Sequence, residues 1–217
     1  MAEESWRSVL EDCAQDLRGR GVEQALSAVQ ASAQRFWRDP ERHRQGRLDL
    51  EGARRIIVRD ALRMLQICDE PLIERIARDY DAVRTAAIHP IPGALEAIAA
   101  MHAAGVRLAL VTNGAAASQR AKIERFDLAA SFDCILIEEE CGFGKPDERI
   151  YRLALGELGC AAEQAWMVGD NFEWEVAAPQ RLGLRSVWVN PGNRPPPQGG
   201  PVPFRTIDSL SDLLPDG

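Results

Sequence analysis

The sequence predicts an α/β protein in which a helical module precedes a doubly wound parallel sheet. Residues 1–88 carry apolar side chains at helical spacing and no buried strand. From residue 89 onward, short apolar runs alternate with helical patterns. That alternation is typical of parallel strands joined by right-handed helical crossovers. We therefore expect two modules, residues 1–88 and residues 89–217.

Four helices are expected in the first module. Their approximate extents are residues 6–17, 22–37, 49–65 and 71–87. Asp49 is a suitable N-cap for the third helix, because its carboxylate can accept a hydrogen bond from a free amide of the first turn. The basic residues between the second and third helices are interpreted as a solvated charged turn. They are Arg38, Arg42, His43, Arg44 and Arg47.

Four apolar runs in the second module are predicted to be strands. They are residues 107–111 (RLALV), 134–137 (CILI), 165–168 (AWMV) and 186–189 (SVWV). Helices are expected over residues 94–104, 116–126, 148–158 and 173–182, and residues 204–214 indicate a last short strand and helix. Trp166 and Trp188 are expected to belong to the core, because both lie in or beside these runs.

Composition excludes several classes of protein. The net charge of −7 disfavours a nucleic-acid backbone as the partner. No apolar run approaches the roughly 20 residues that span a bilayer. The N-terminal segment MAEESWRSVLEDC carries acids rather than the basic start of a signal peptide, and the five cysteines form no C-x-x-C pair. We expect a cytoplasmic protein with reduced thiols that binds neither membrane nor nucleic acid.

Polar residues follow the first predicted strand, at the edge where open α/β sheets bind ligands. The run ends in Thr112, Asn113 and Gly114. The Thr112 hydroxyl and the next two backbone amides can donate to an anionic oxygen, and a glycine lets the backbone approach closely. A turn with a threonine cap is the ordinary alternative.

Lys145 stands in the loop after the second predicted strand, between a glycine and a proline that restrict its backbone. Asp147 is placed to cap the next helix. An isolated lysine of this kind is usually a solvated loop residue. The order of Thr112, Lys145 and Asp170 on successive strand ends instead favours a site for a negatively charged group.

The third run ends in Gly169 and Asp170. A carboxylate at a strand tip suits Mg²⁺, which binds one or two carboxylates together with water and phosphate oxygens. Alternatively, Asp170 is only the N-cap of a helix that begins near Asn171. The pattern alone favours neither interpretation. Glu175 is spaced to face back toward the strand end, whereas Glu173 is expected in the solvated first turn.

These residues resemble three motifs of the haloacid dehalogenase-like (HAD) hydrolase superfamily. Thr112–Asn113 after RLALV, Lys145 in GKPDERIY and Asp170 in VGDNFEWEV are similar to its second, third and fourth motifs. Residues 1–88 resemble the family's α-helical cap, and residues 89–217 resemble its Rossmann-like core.

The resemblance implies a Mg²⁺-dependent phosphatase that hydrolyses a small phosphorylated metabolite through an aspartyl-phosphate. Positioning and electrostatics dominate such chemistry. The resemblance implies that Thr112 and Lys145 are catalytic residues and that Asp170 binds Mg²⁺. Asn171 and Glu175 are implied as supporting residues. The implied phosphate-binding residues are Thr112, Asn113, Gly114 and Lys145.

The family's first motif, an apolar strand ending in Asp-x-Asp, has no counterpart in the sequence. Its first aspartate is the nucleophile and its second is the general acid/base. Asp79 and Asp81 have the spacing but lie in a helical pattern, and Asp12 and Asp16 follow no apolar run. Asp208 follows a short run but has no second aspartate two residues later.

The family places this strand between the strand ending at Thr112 and the strand ending at Asp170, so two inner edges are expected to be unpaired. Three explanations remain open: a start assigned too late at an internal methionine, which we favour because the other motifs are intact; a truncated, non-catalytic paralogue; or a strand supplied by another chain. We expect no turnover from the 217 residues alone.

Two alternatives to the phosphatase remain. A 2-haloacid dehalogenase shares the implied fold, but the Gly169–Asp170 pair favours a metal, which dehalogenases of this family do not need. A non-catalytic binding or regulatory protein is the alternative from another functional class.

Overall fold

The computed structural model describes residues 2–214, and the chain divides into two compact units between His89 and Pro90. The first unit is entirely helical. Its elements are α1 (Ala2–Asp12), a 3₁₀ turn (Ala14–Leu17), α2 (Val22–Arg38), α3 (Pro40–Leu48), α4 (Leu50–Met64) and α5 (Glu70–Ala86).

Helix α3 occupies most of the segment that the sequence predicts to be a solvated charged turn. The predicted turn is wrong, but Arg38, Arg42 and Arg44 are exposed, as expected. The Asp39 carboxylate caps the helix by accepting from the backbone amide of Arg42 at 2.8 Å. Pro40 follows at the start of the helix, where its fixed φ and missing N–H are tolerated. The cap and the proline start a helix whose polar sequence lacks the apolar periodicity used for prediction.

The helical unit surrounds one large apolar cluster. Leu10, Val29 and Ile76 have no exposed surface, and Ile57 is 2% exposed. The cluster draws buried side chains from α1, α2, α4 and α5. Since helices satisfy their backbone hydrogen bonds internally, apolar burial of this kind is sufficient to hold them together.

The second unit alternates helices and strands. Its elements are α6 (Ala94–Ala103), β1 (Ala109–Thr112), α7 (Ala116–Arg125), β2 (Cys134–Ile137), α8 (Glu138–Cys141), α9 (Glu148–Leu158), β3 (Trp166–Gly169), a π-helix (Phe172–Ala177), α10 (Ala178–Gln180), β4 (Arg185–Val189) and β5 (Arg205–Ile207). Short 3₁₀ turns cover Ala129–Ser131, Ala162–Gln164 and Leu210–Leu213.

All strand pairing in this unit is parallel, which confirms the predicted α/β class. Between residues 2 and 214, however, the strands form two sheets rather than one. Strand β1 pairs with β2, and β3, β4 and β5 form the second sheet in that order. The registers join Ala109 to Cys134 and Trp166 to Arg185.

Two small apolar clusters accompany the two sheets. One gathers under α9 around Leu136, Ile150 and Tyr151. The other joins β4 and β5 through Val187, Val189 and Ile207. The core of this unit is therefore divided, in contrast to the single core of the helical unit.

The two tryptophans expected in the core differ. Trp188 is 5% exposed and confirms the expectation, but Trp166 is 45% exposed. Trp166 opens β3, and its ring lies 5.3 Å from the ring of Phe204, which is itself 53% exposed. An apolar run indicates a strand without saying whether its first residue faces the core.

None of the helices in residues 2–214 is long and apolar enough to cross a membrane. The five cysteines are free thiols, as expected.

Candidate functional site

The backbone of Lys145 is fixed by the residue that follows Thr112. The Asn113 Oδ1 atom accepts from the Lys145 backbone N–H at 2.8 Å, and Asn113 Nδ2 donates to the Lys145 carbonyl at 2.6 Å. Gly144 is required beside this contact, because a Cβ there would lie 2.7 Å from Asn113 Oδ1 and 2.7 Å from Glu138 Cγ. The segment after β1 therefore holds the loop after β2 in place.

The Lys145 side chain reaches the segment after β3. Its Nζ donates to Glu175 Oε1 at 2.7 Å, and the two side chains are only 11% and 5% exposed. Burial raises the pKa of the Glu175 carboxyl, and the Lys145 ammonium opposes that rise. The sequence expectation that Glu175 faces back toward the strand end is confirmed, and exposed Glu173 pairs with Arg181.

Asn171, and not Asp170, caps the helix after β3. Its Oδ1 accepts from the Trp174 amide at 3.1 Å, and its own amide donates to Glu175 Oε2 at 2.7 Å. The helix begins as a π-helix, a form often found at functional sites. The capping alternative for Asp170 is therefore wrong, and its exposed carboxylate makes no hydrogen bond or ion pair within the described part of the chain.

The Gly114 amide does not face an open anion site. It donates to Glu138 Oε2 at 3.0 Å, and Glu138 is 5% exposed. Glu139 accepts from the Ala116 amide at 2.6 Å, so the two glutamates cover the start of α7. The expectation that Gly114 donates to a phosphate does not hold in this arrangement, since a carboxylate already occupies that donor.

Glu138 and Glu139 were missed by sequence reasoning. The available signal was three consecutive acids directly after a buried strand, Glu138–Glu140 in ILIEEEC. A run of acids usually lies in solvent, and here only tertiary contact with the segment after β1 buries the first one.

Thr112 ends β1 beside this network, and its hydroxyl is engaged by no other group of residues 2–214. The structure therefore brings Thr112, Asn113, Lys145, Asn171 and Glu175 to neighbouring strand ends. A lysine ammonium and a hydroxyl with donors to spare can bind an oxyanion.

The oxygen atoms at this site that could coordinate Mg²⁺ supply only part of a metal site. Among residues 2–214, no group of three or more His, Cys, Asp or Glu is placed to hold a metal. Both Glu175 oxygens are committed, one to Lys145 and the other to the Asn171 amide. Asp170 can supply one carboxylate, so the remaining ligands must be water, substrate oxygens or a further acid.

The pattern of the haloacid dehalogenase-like hydrolases matches residues 2–183. The chain belongs to this family. A phosphoserine phosphatase of Thermus thermophilus is 47% identical over 91 residues, which are 42% of this chain and 36% of that protein. A pyrimidine 5′-nucleotidase of Escherichia coli is 34% identical over 125 residues, which are 57% of this chain and 55% of that protein. The matched region thus spans about half or less of these curated relatives.

Solved structures agree on the fold. A HAD-hydrolase of Bacillus subtilis, bound to magnesium, superposes with a TM-score of 0.72 at 21% identity and covers 98% of this chain and 89% of that one. A 2-haloacid dehalogenase of Pseudomonas syringae gives a TM-score of 0.64 at 23% identity, with coverage of 98% and 87%. At these identities the likeness establishes the HAD-like fold and not the substrate.

Proposed function

We propose that this HAD-like chain carries the phosphate- and metal-binding part of a Mg²⁺-dependent phosphatase for a small phosphorylated metabolite. The observation that carries the proposal is the chain of contacts from Asn113 through Lys145 to Glu175, which joins the ends of β1 and β3. The phosphoserine phosphatase and the pyrimidine 5′-nucleotidase among the curated relatives support the same reaction class.

Each residue has a distinct part in this proposal. The Lys145 ammonium and the Thr112 hydroxyl bind phosphoryl oxygens, and Lys145 also balances the charge that builds up in the transition state. Asp170 is one ligand of Mg²⁺, which supplies charge neutralisation when bound. Asn113 and Glu175 fix the position of Lys145, and Asn171 orients Glu175.

The nucleophile is the missing component. The 217 residues contain no apolar strand followed by Asp-x-Asp, and Asp79–Asp81 lies within helix α5. We propose that an aspartate from outside these residues attacks the phosphorus, and that the 217 residues alone turn over no phosphate monoester. The helical unit acts as a cap that selects the substrate.

The test compares the 217-residue chain with a version extended at its N-terminus by an apolar strand and Asp-x-Asp. Phosphate release from a panel of sugar and nucleotide phosphates is measured with and without Mg²⁺. We expect release only from the extended version with Mg²⁺, lost in Asp170→Asn and retained in Glu173→Gln, a matched control on the same segment.

Three outcomes would contradict the proposal. Mg²⁺-dependent turnover by the 217 residues alone, lost in Asp170→Asn, would mean that the nucleophile lies within them. Metal-independent halide release from a 2-haloacid by the extended version would assign the dehalogenase reaction instead. Phosphate release that survives Asp170→Asn would remove the metal role of that carboxylate.

A further inference from the structure

One face of helix α3 lines a cavity within the helical unit. The cavity has a volume of about 250 Å³, and side chains from α2, α3 and α4 surround it. That volume lies just below the roughly 300–1,000 Å³ of pockets for drug-sized ligands, so the cavity suits a smaller molecule. The residues that line it are Phe36, Arg42, Gln45, Gly46, Asp49 and Ile56.

Helical spacing places four of these residues on one face. They follow the pattern i, i+3, i+4 and i+7 along α3 and its C-cap, and are Arg42, Gln45, Gly46 and Asp49. Seven residues of an α-helix advance about 10 Å, so Arg42 and Asp49 stand at opposite ends of this face. Between them, a Cβ at Gly46 would lie 2.6 Å from Phe36 Cε1. A glycine is therefore needed for α3 to approach the Phe36 ring this closely.

Two of the lining side chains are apolar. Phe36 belongs to the core of the helical unit and is 4% exposed, whereas Ile56 is 40% exposed although it is a large aliphatic side chain. An aliphatic chain in the cavity would cover Ile56, and removing that surface from water favours binding. The cavity therefore suits a ligand with an apolar part.

The two charged side chains of the lining have opposite signs. The Arg42 guanidinium lies 5.9 Å from the centroid of the Phe36 ring and makes no ion pair with any acid in residues 2–214. Asp49 Oδ1 accepts from the Gly52 amide at 2.9 Å, and the Asp49 carboxylate makes no ion pair within the same part of the chain. A cation and an anion held apart at one cavity favour a ligand that carries both opposite charges.

We propose that this cavity binds a short, unbranched zwitterion whose carboxylate and ammonium groups lie at opposite ends of an aliphatic chain. The carboxylate pairs with the Arg42 guanidinium, whose N–H groups suit two parallel bonds to one carboxylate. The ammonium pairs with Asp49, and the methylene groups cover Phe36 and Ile56. An α-amino acid carries both charges at one end and cannot reach both partners, since Arg42 and Asp49 are about 10 Å apart along the helix. All of these contacts come from the helical unit, so the binding is independent of the proposed phosphatase reaction.

The experiment titrates the full chain with 6-aminohexanoate and follows the backbone amides by ¹H–¹⁵N NMR. A ligand of this size should bind with a Kd of about 1 mM, and the amides that shift should be those of the lining residues. Hexanoate lacks the ammonium, and norleucine carries both charges at one end of the same chain. Each should bind about fivefold more weakly than 6-aminohexanoate, which is the upper range for losing one exposed ion pair.

A second arm changes the charges of the cavity. Asp49→Asn removes the charge and keeps the N-cap, because asparagine caps helices about as well as aspartate does. It should weaken the binding of 6-aminohexanoate about fivefold and leave that of hexanoate unchanged, whereas Arg42→Gln should weaken both. Asp39→Asn, at the cap of α3, and Arg44→Gln, which loses its pair with Glu41, are matched controls outside the lining. Neither control should change the Kd.

Equal affinity for 6-aminohexanoate and hexanoate would overturn the proposal, and so would tighter binding of norleucine. Shifts confined to amides outside the lining, or no shifts at about ten times the expected Kd, would also overturn it. Equal loss of both ligands in Asp49→Asn would mean that this residue acts through the fold and not through its charge, against the proposal. Far-UV circular dichroism shows whether each variant is folded, and the comparison of ligands on the unchanged chain depends on no variant.

Discussion

The two units of this chain reach stability in different ways. The helical unit has one core, in which side chains such as Leu10 and Ile76 have no exposed surface. The α/β unit has two smaller clusters, and its strands β1 and β3 are half-buried. A helix satisfies its own backbone hydrogen bonds, whereas each strand needs a partner from elsewhere in the chain, and an unpaired edge is left to solvent. The stability of the α/β unit therefore depends more on which strands pair with which than that of the helical unit does.

Charge shows the same contrast. Ion pairs in the helical unit lie largely in solvent; Arg59 and Glu70, for example, are 30% and 62% exposed. In the α/β unit, Lys145 and Glu175 form a pair that is 11% and 5% exposed. Exposed pairs add little stability, but a buried pair is costly to break because the remaining charge has no water around it.

The largest loss of stability is expected from breaking the buried ion pair between Lys145 and Glu175. Lys145→Met should lower the free energy of unfolding by about 3–5 kcal/mol, because Glu175 is left buried without its counter-charge. The double variant Lys145→Met/Glu175→Gln should recover much of this loss. Urea denaturation monitored by circular dichroism measures both, and a loss no greater than that from removing an exposed pair would show that the pair is solvated.

The next largest loss of stability is expected from truncating a leucine, and the loss should differ between the two units. Leu10→Ala should cost about 2–5 kcal/mol, since it leaves a cavity in a closed core. Leu110→Ala should cost clearly less, because its side chain is half-buried beside the open edge of β1. Denaturation of both variants under one condition tests this, and equal costs would mean that β1 is fully packed in solution.

The third effect concerns pH. Burial raises the pKa of Glu175, so the folded state holds its proton to higher pH than the unfolded state does. The stability linked to this proton is complete below the unfolded pKa and is lost as pH rises through the folded pKa. The slope is at most about 1.4 kcal/mol per pH unit. Glu175→Gln should remove that negative slope from denaturation curves between pH 4 and 7, and an unchanged slope would contradict it.

The smallest loss of stability is expected from removing a helix N-cap, and it should be equal in the two units. Asp49 caps α4 through the Gly52 amide, and Asp147 caps α9 through the Arg149 amide. Replacing either aspartate by alanine should cost about 1 kcal/mol, because each loses one capping bond. A much larger cost for Asp147→Ala would show that its loop position near Lys145, and not the cap alone, depends on the carboxylate.

Much of the fold was predictable because local patterns specify it. The predicted strand over 134–137 and the helix over 148–158 coincide with β2 and α9. Helix α3 was not predictable from periodicity, because its start depends on the cap and proline at residues 39 and 40. The exposure of Trp166 depends on which neighbours β3 has, which no local pattern encodes.

The residues of the candidate site could be predicted from the sequence, but the hydrogen bonds and ion pairs between them could not. Strand-end position and residue type pointed to Thr112, Lys145 and Asp170. The pairing of Lys145 with Glu175 and the burial of Glu138 against Gly114 were not visible, because they join segments about 24 to 30 residues apart.

The sequence by itself determined the class of fold, the positions of most elements and the residues at the strand ends, because helix and strand periodicity and turn chemistry act over a few neighbouring residues. Only the tertiary structure decided that Asn171 is the helix cap, that Glu138 occupies the Gly114 amide, and that the strands form two sheets with open edges at β1 and β3. Those outcomes depend on which distant groups compete for the same donors and edges, and that competition is settled only when the chain is folded.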